Sequence, residues 1–280
     1  MSAKIAAYIQ LTHPWAVTIV MAATALFGLL AARGDPPIGR FALLFTGMLG
    51  GQIAIGATNE WCDRQADAID KPHRPIPAGL VPASGALALA AFGLLAMTVA
   101  GLALGVWGFL LLVIMIGAGL VYNVKLKRTP WSWLPYLVAL PLVPTWAWVV
   151  MDEFQPGLLW LYPLGALFVL AIHMSQTLPD IGADASRGEQ GIGVVLGRPW
   201  AEASIWLAAF GSTLAVAAGG WVFGSAPLPT TIAAGVVAVV LAVAFVAARV
   251  AGPRVQPHLF KILTSSAVIL ATGWVLTVTD

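Results

Sequence analysis

Charge is what this sequence has least of. Its 280 residues include 14 Lys and Arg and 12 Asp and Glu, 9% of the chain, while 60% are hydrophobic. A soluble domain carries about 25% charged residues. The deficit excludes a water-soluble globular fold and implies a membrane-embedded one. Cysteine is nearly absent as well: a single Cys62 cannot form an internal disulfide and carries no information on redox compartment. The net charge of +2 is too small to attract nucleic acid, and no such partner is expected.

What is abundant is long charge-free sequence. Residues 5–32, 41–59, 129–151, 154–179 and 262–279 contain no Asp, Glu, Lys or Arg, and neither do the longer runs 75–124 and 203–248. A bilayer-spanning helix needs roughly 20 residues, so each of the two longer runs holds a pair of spans. They divide where Gly and Pro interrupt the helix, at residues 101–105 and 223–229. The expectation is an all-α polytopic membrane protein with nine spans, at about 14–33, 40–59, 82–103, 105–123, 131–151, 157–178, 200–223, 228–250 and 258–278. The first apolar run leads into a full span rather than a cleavage site, so no signal peptide is expected.

With nine spans, 12 Lys and Arg fall on one side and only Arg33 and Arg40 on the other. Basic residues favour the cytoplasmic side, which places the N-terminus and the polar loops there and the C-terminus outside. Eight of the 12 acidic residues share the basic side. Topology alone does not require that.

Three polar segments collect this charge. The first is Asn59–Gly79, with seven charged residues. Read as the end of the second span, Asn59, Asp63 and Asp67 recur every four residues and share one helix face, whereas Glu60 lies about 100° away. A stripe of one amide and two carboxylates suits a hard cation such as Mg²⁺. Pro72, Pro75 and Pro77 forbid a helix beyond Lys71, so His73 and Arg74 are expected on a stiff, extended loop. The second segment, residues 176–191, repeats the pattern with Asp180 and Asp184 at the end of span six, four helices later. The repeat implies two four-helix halves, about 1–130 and 131–280, plus a ninth helix, in a single membrane domain over 1–280. If the two stripes face each other, their four carboxylates repel unless cations intervene. Two Mg²⁺ ions bridged by a diphosphate would satisfy them. The third segment, 122–130, holds Lys125, Lys127 and Arg128, the densest basic cluster. It is expected to neutralise diphosphate beside Tyr122, to contact anionic membrane lipid, or both. His173 within span six is either functional or a packed, hydrogen-bonded histidine.

These residues resemble the motifs of the UbiA superfamily of intramembrane prenyltransferases. Asn59-Glu60-Trp61-Cys62-Asp63-Arg64-Gln65-Ala66-Asp67 resembles the pattern N-D-x-x-D-x-x-x-D, and Arg74-Pro75-Ile76-Pro77-Ala78-Gly79 resembles R-P-I-P-S-G. Asp180 and Asp184 resemble D-x-x-x-D, and Tyr122–Arg128 the family's Tyr/Lys segment. Glu60 stands where Asp is usual.

The resemblance implies two linked four-helix bundles and a ninth helix around a central cavity. It implies Mg²⁺-dependent transfer of a prenyl group from a prenyl diphosphate to an aromatic or other lipophilic acceptor. Asn59, Asp63, Asp67, Asp180 and Asp184 would be the metal and diphosphate residues. Lys127 would act with the aspartates, and Arg74, Tyr122, Lys125 and Arg128 would bind substrate. Two other readings stay open. One is an intramembrane terpene cyclase on the same scaffold. The other is a secondary transporter, against which the acids lie at span ends rather than at the midplane. Acceptor, prenyl length and oligomeric state are not encoded in any motif.

Overall fold

The computed structural model describes residues 3–279, the side chain of Pro253 apart, and among these residues every regular element is helical. In lipid each backbone N–H and C=O must find a partner within the chain, which a helix provides. The helices are α1 (Ala3–Gln10), α2 (Pro14–Ala31), α3 (Ile38–Asp70), α4 (Ala83–Ala103), α5 (Gly105–Val121), α6 (Leu134–Ala139), α7 (Leu142–Val150), α8 (Leu161–Thr177), α9 (Ile181–Ser186), α10 (Ile192–Leu196), α11 (Arg198–Phe223), α12 (Leu228–Ala251) and α13 (Gln256–Thr279). The break expected at 101–105 is the α4–α5 turn, where Gly105 adopts φ 85, a value that L side chains resist.

Among the described residues eight helical stretches are long and apolar enough to cross a membrane: α2, α3, α4, α5 extended to Leu126, the rod Pro156–Ser186, α11, α12 and α13. The expected fifth span differs. Pro141 lacks an N–H and cannot continue the helix, so the segment divides into α6, of 6 residues, and α7, of 9. A hydropathy reading sees one apolar run there; the proline makes it two short helices.

The chain forms two compact units. One runs to Lys127 and takes in Trp146–Phe154; the other holds Arg128–Thr145 and the described residues from Gln155 onward. In the first unit α3 packs along α4 at Gly50 and Gly93. A Cβ on Gly50 would lie 2.6 Å from the Gly93 carbonyl oxygen, and one on Gly93 2.5 Å from the Gly50 oxygen. Such small-residue contacts let membrane helices approach backbone to backbone. Gly119 of α5 similarly admits Ile55 of α3, whereas Gly117 faces open space. The indole of Trp146 donates to the Gly108 carbonyl at 2.8 Å, and Arg40 donates to the Val150 carbonyl at 3.1 Å and to Asp152. These bonds dock the second half of α7.

In the second unit α8, α11, α12 and α13 enclose Ile205, Leu241, Leu263 and Trp274. The Trp274 indole donates to the Gly157 carbonyl at 2.9 Å. Trp15, Trp107, Trp131 and Trp200 are exposed, as interfacial belt residues are.

The two glycine environments give a direct test. Gly50→Leu is expected to destabilise the protein by about 1–3 kcal/mol or more, because the neighbouring backbone cannot yield. Gly117→Ala is expected to leave stability unchanged or slightly raised. Thermal melts of both variants in detergent check the contrast.

Candidate functional site

In the first unit α3 continues unbroken through Asn59, Asp63 and Asp67 to Asp70, and the Lys71 N–H closes it on the Asp67 carbonyl at 2.8 Å. All three stripe residues are half-buried. Beside them runs the continuation of α5. The polar segment that begins at Tyr122 is helical as far as Leu126, beyond the expected span end at 123, and wound as one wide π-turn, Tyr122–Leu126, with the Lys127 N–H reaching back five residues to the Tyr122 carbonyl at 2.8 Å. Such widened turns recur at functional sites.

Asn123 and Lys127, four residues apart, thereby meet Asn59 and Asp63, also four apart. The Asn59 amide donates from Nδ2 to Asn123 Oδ1 at 3.0 Å, and Lys127 Nζ donates to Asp63 Oδ2. Asn123 in turn donates to the Ile55 carbonyl at 2.8 Å. The sequence reading overlooked Asn123. Its one visible signal was an amide in an otherwise apolar or basic segment. Tyr122 is buried and Lys125 exposed.

Glu60 lies off this row and is buried, with 2% of its side chain exposed. Arg74 Nη1 donates to Glu60 Oε1 at 2.8 Å, and His13 Nε2 lies 3.2 Å from the same oxygen. His13 sits between α1 and α2 in the left-handed region, φ 53. The segment after α3 is not extended as expected. The prolines do prevent a helix, but the chain folds back in consecutive turns: Arg74 N–H to the Lys71 carbonyl at 2.9 Å, Ala78 N–H to that of Arg74 at 2.9 Å, and Leu80 N–H to that of Pro75 at 3.0 Å. These turns bring Arg74 back onto the helix that carries the stripe.

In the second unit α8 passes through a 3₁₀ turn, Leu178–Asp180, into α9. Asp180 closes that turn and Asp184 lies in α9, both half-buried. Arg187 donates to Asp184 and, through Nε, to Glu189 Oε1 at 3.1 Å. Arg128 Nε lies 3.4 Å from the same Glu189 oxygen, and the Gln190 N–H donates to the Arg128 carbonyl at 3.3 Å. His173 is fully buried. Its Nε2 is 2.9 Å from Ser132 Oγ and its ring is 5.0 Å from that of Tyr136, whose hydroxyl donates to Gln176. That is a packed, hydrogen-bonded histidine.

The family model described as the UbiA prenyltransferase family matches residues 19–273. The chain belongs to the UbiA prenyltransferase family. It is 36% identical over 163 residues to the bacteriochlorophyll synthase 33 kDa chain of Rhodobacter capsulatus, a stretch covering 52% of this chain and 51% of that one. It is 42% identical over 134 residues to protoheme IX farnesyltransferase of a Jannaschia species, covering 45% of this chain and 42% of that one. The chain thus spans about half the length of these curated relatives. A UbiA homologue from Archaeoglobus fulgidus, solved bound to GPP and Mg²⁺, shares the fold with a TM-score of 0.75 at 13% identity, over 96% of this chain and 99% of that one.

In this UbiA-family chain the donors fit a magnesium ion. Asn123 takes the Asn59 Nδ2–H, so the Asn59 carbonyl oxygen remains as a hard acceptor on the face of Asp63 and Asp67. Among the described residues no three His, Cys, Asp or Glu side chains gather into one ligand set. Mg²⁺ requires no such cage: it binds through one or two carboxylates, with water and substrate phosphate completing the octahedron.

Asn123→Ala would remove the partner of the Asn59 amide and the second bond to the Ile55 carbonyl, which keeps its bond within α3. The expected cost is about 0.5–1.5 kcal/mol, read as a lowered unfolding midpoint in detergent.

Proposed function

We propose that this chain transfers a prenyl group from a prenyl diphosphate to a lipophilic acceptor in the membrane, in a Mg²⁺-dependent reaction. The observation that carries the reading is the double row in the first unit: Asn59 and Asp63 matched step for step by Asn123 and Lys127. It sets hard oxygen donors beside a cation at the end of an apolar helix, the pairing a metal-bound diphosphate requires. The names of the relatives, a bacteriochlorophyll synthase and a protoheme farnesyltransferase, support prenyl transfer as the reaction class.

Asp63 and Asp67, with the Asn59 carbonyl oxygen, would hold Mg²⁺ in the first unit, and Asp180 and Asp184 would hold it in the second. Bound there, Mg²⁺ supplies Lewis-acid stabilisation of the departing diphosphate. Lys127 is the proposed cation for the negative charge that develops as the allylic C–O bond breaks and its electron pair leaves with the diphosphate. Lys125, Arg128 and Arg74 would supply further positive charge, and Tyr122 would line the substrate site. Ionisation leaves an allylic carbocation, which survives because the surrounding helices are apolar and keep water away. The acceptor's nucleophilic atom then bonds to the terminal allylic carbon and releases a proton. The stabilised cation makes a strong base unnecessary. The distribution of 12 Lys and Arg against two supports a cytoplasmic N-terminus and an odd number of crossings, with α6 and α7 completing the ninth.

Asp63→Ala and Asp180→Ala are each expected to lower Mg²⁺-dependent turnover by about 100-fold or more while the protein still folds in detergent. Mass spectrometry of products from purified protein, geranylgeranyl diphosphate, Mg²⁺ and a panel of acceptors measures it. Normal turnover in either variant sinks the assignment.

A further inference from the structure

The charge network of the second unit contains two residues that no motif singles out, Arg187 and Glu189. Glu189 is largely buried, with 16% of its side chain exposed, and one of its oxygens meets two guanidinium groups: Arg187 at 3.1 Å and Arg128 at 3.4 Å. Arg187 also reaches Asp184. The backbone bond from Gln190 N–H to the Arg128 carbonyl ties the two segments together at the same point. Planar guanidinium groups held in fixed orientation are well suited to phosphate oxygens, which they bind through paired N–H donors.

The four side chains balance: two guanidinium groups against two carboxylates. A divalent cation held by Asp180 and Asp184 would turn the group, with Asp180 counted, from one net negative charge to one net positive charge, and would compete with Arg187 for the Asp184 carboxylate. Glu189 remains as the tether of Arg187. That positive charge then favours a polyanion at the moment the metal arrives, with both arginines already oriented.

We infer that Arg187 joins Arg128 as a diphosphate-binding residue and that Glu189 is a positioning residue holding both. This rests on the proposed prenyl-diphosphate chemistry and extends it to residues outside the aspartate motifs.

The experiment is calorimetric titration of inorganic pyrophosphate with Mg²⁺ into the full-length protein in detergent, for wild type, Arg187→Gln, Arg187→Lys and Glu189→Gln, with a melting temperature for each. Arg187→Gln is expected to weaken binding by about tenfold or more, with Arg187→Lys intermediate. Glu189→Gln is expected to weaken it by about three- to tenfold with an unchanged melting temperature. Wild-type affinity in Arg187→Gln overturns the role of Arg187. Tighter binding in Glu189→Gln would show that this carboxylate competes with the anion, and loss of affinity in step with loss of melting temperature would show a merely structural role; either overturns the positioning assignment. No binding of pyrophosphate by the wild type would instead remove the proposed function itself.

Discussion

A carboxylate on an otherwise apolar helix is expensive unless a cation meets it within the protein. That constraint organises both units. Asp63 meets Lys127, Glu60 meets Arg74, Asp184 meets Arg187, and Glu189 meets both Arg187 and Arg128. The pairs of Asp63, Glu60 and Asp184 each tie a helix to a polar segment outside it, and Glu189 ties two such segments to each other. Satisfying the charges therefore also sets the shape of the loops. The turns after α3 fold back because Arg74 has a buried partner to reach. The π-turn after α5 brings the residues four apart on one element into register with those four apart on another.

The same pairings bear on chemistry. The motif aspartates are not spread along water-exposed loops, where charge would be screened. They are half-buried, and Asp63 and Asp184 are partnered by side chains that can also serve an anion. Lys127 and Arg187 play matching parts in separate units: each balances a motif aspartate with a donor-only cation. Asn123 adds something charge cannot. It orients an amide, so that Asn59 presents oxygen rather than N–H beside the carboxylates. Glu60 belongs to a different system. Its position beside Asn59 in sequence places it on another face, where it anchors structure.

Much of this was legible in the sequence where a local rule applied. The Asn59, Asp63 and Asp67 stripe follows from helical periodicity alone, and α3 does run through it to Asp70. The ends of most long helices follow from charge-free length and from Gly and Pro. Over the fifth span hydropathy shows one apolar run because it sums over a window, while Pro141 interrupts the helix at a single bond. The helix runs past the expected span end at residue 123 to Leu126, where charge and polarity mask a helix whose turn is widened. Asn123, Glu189 and the Glu60–Arg74 pair were out of reach for a different reason. Their partners lie up to 68 residues away in sequence, and no periodicity relates them.

By itself, then, the sequence determined that the chain is helical and membrane-embedded, where its polar segments fall, and which carboxylates share a face. These are consequences of composition and of the 3.6-residue repeat, both local. Only the tertiary structure decided which cation each carboxylate receives, which oxygen Asn59 leaves available, and that Glu60 and Glu189 act through arginines. Those outcomes depend on helix packing at Gly50, Gly93 and Gly119 and on the geometry of turns, where a shift of one residue would give every side chain a different neighbour.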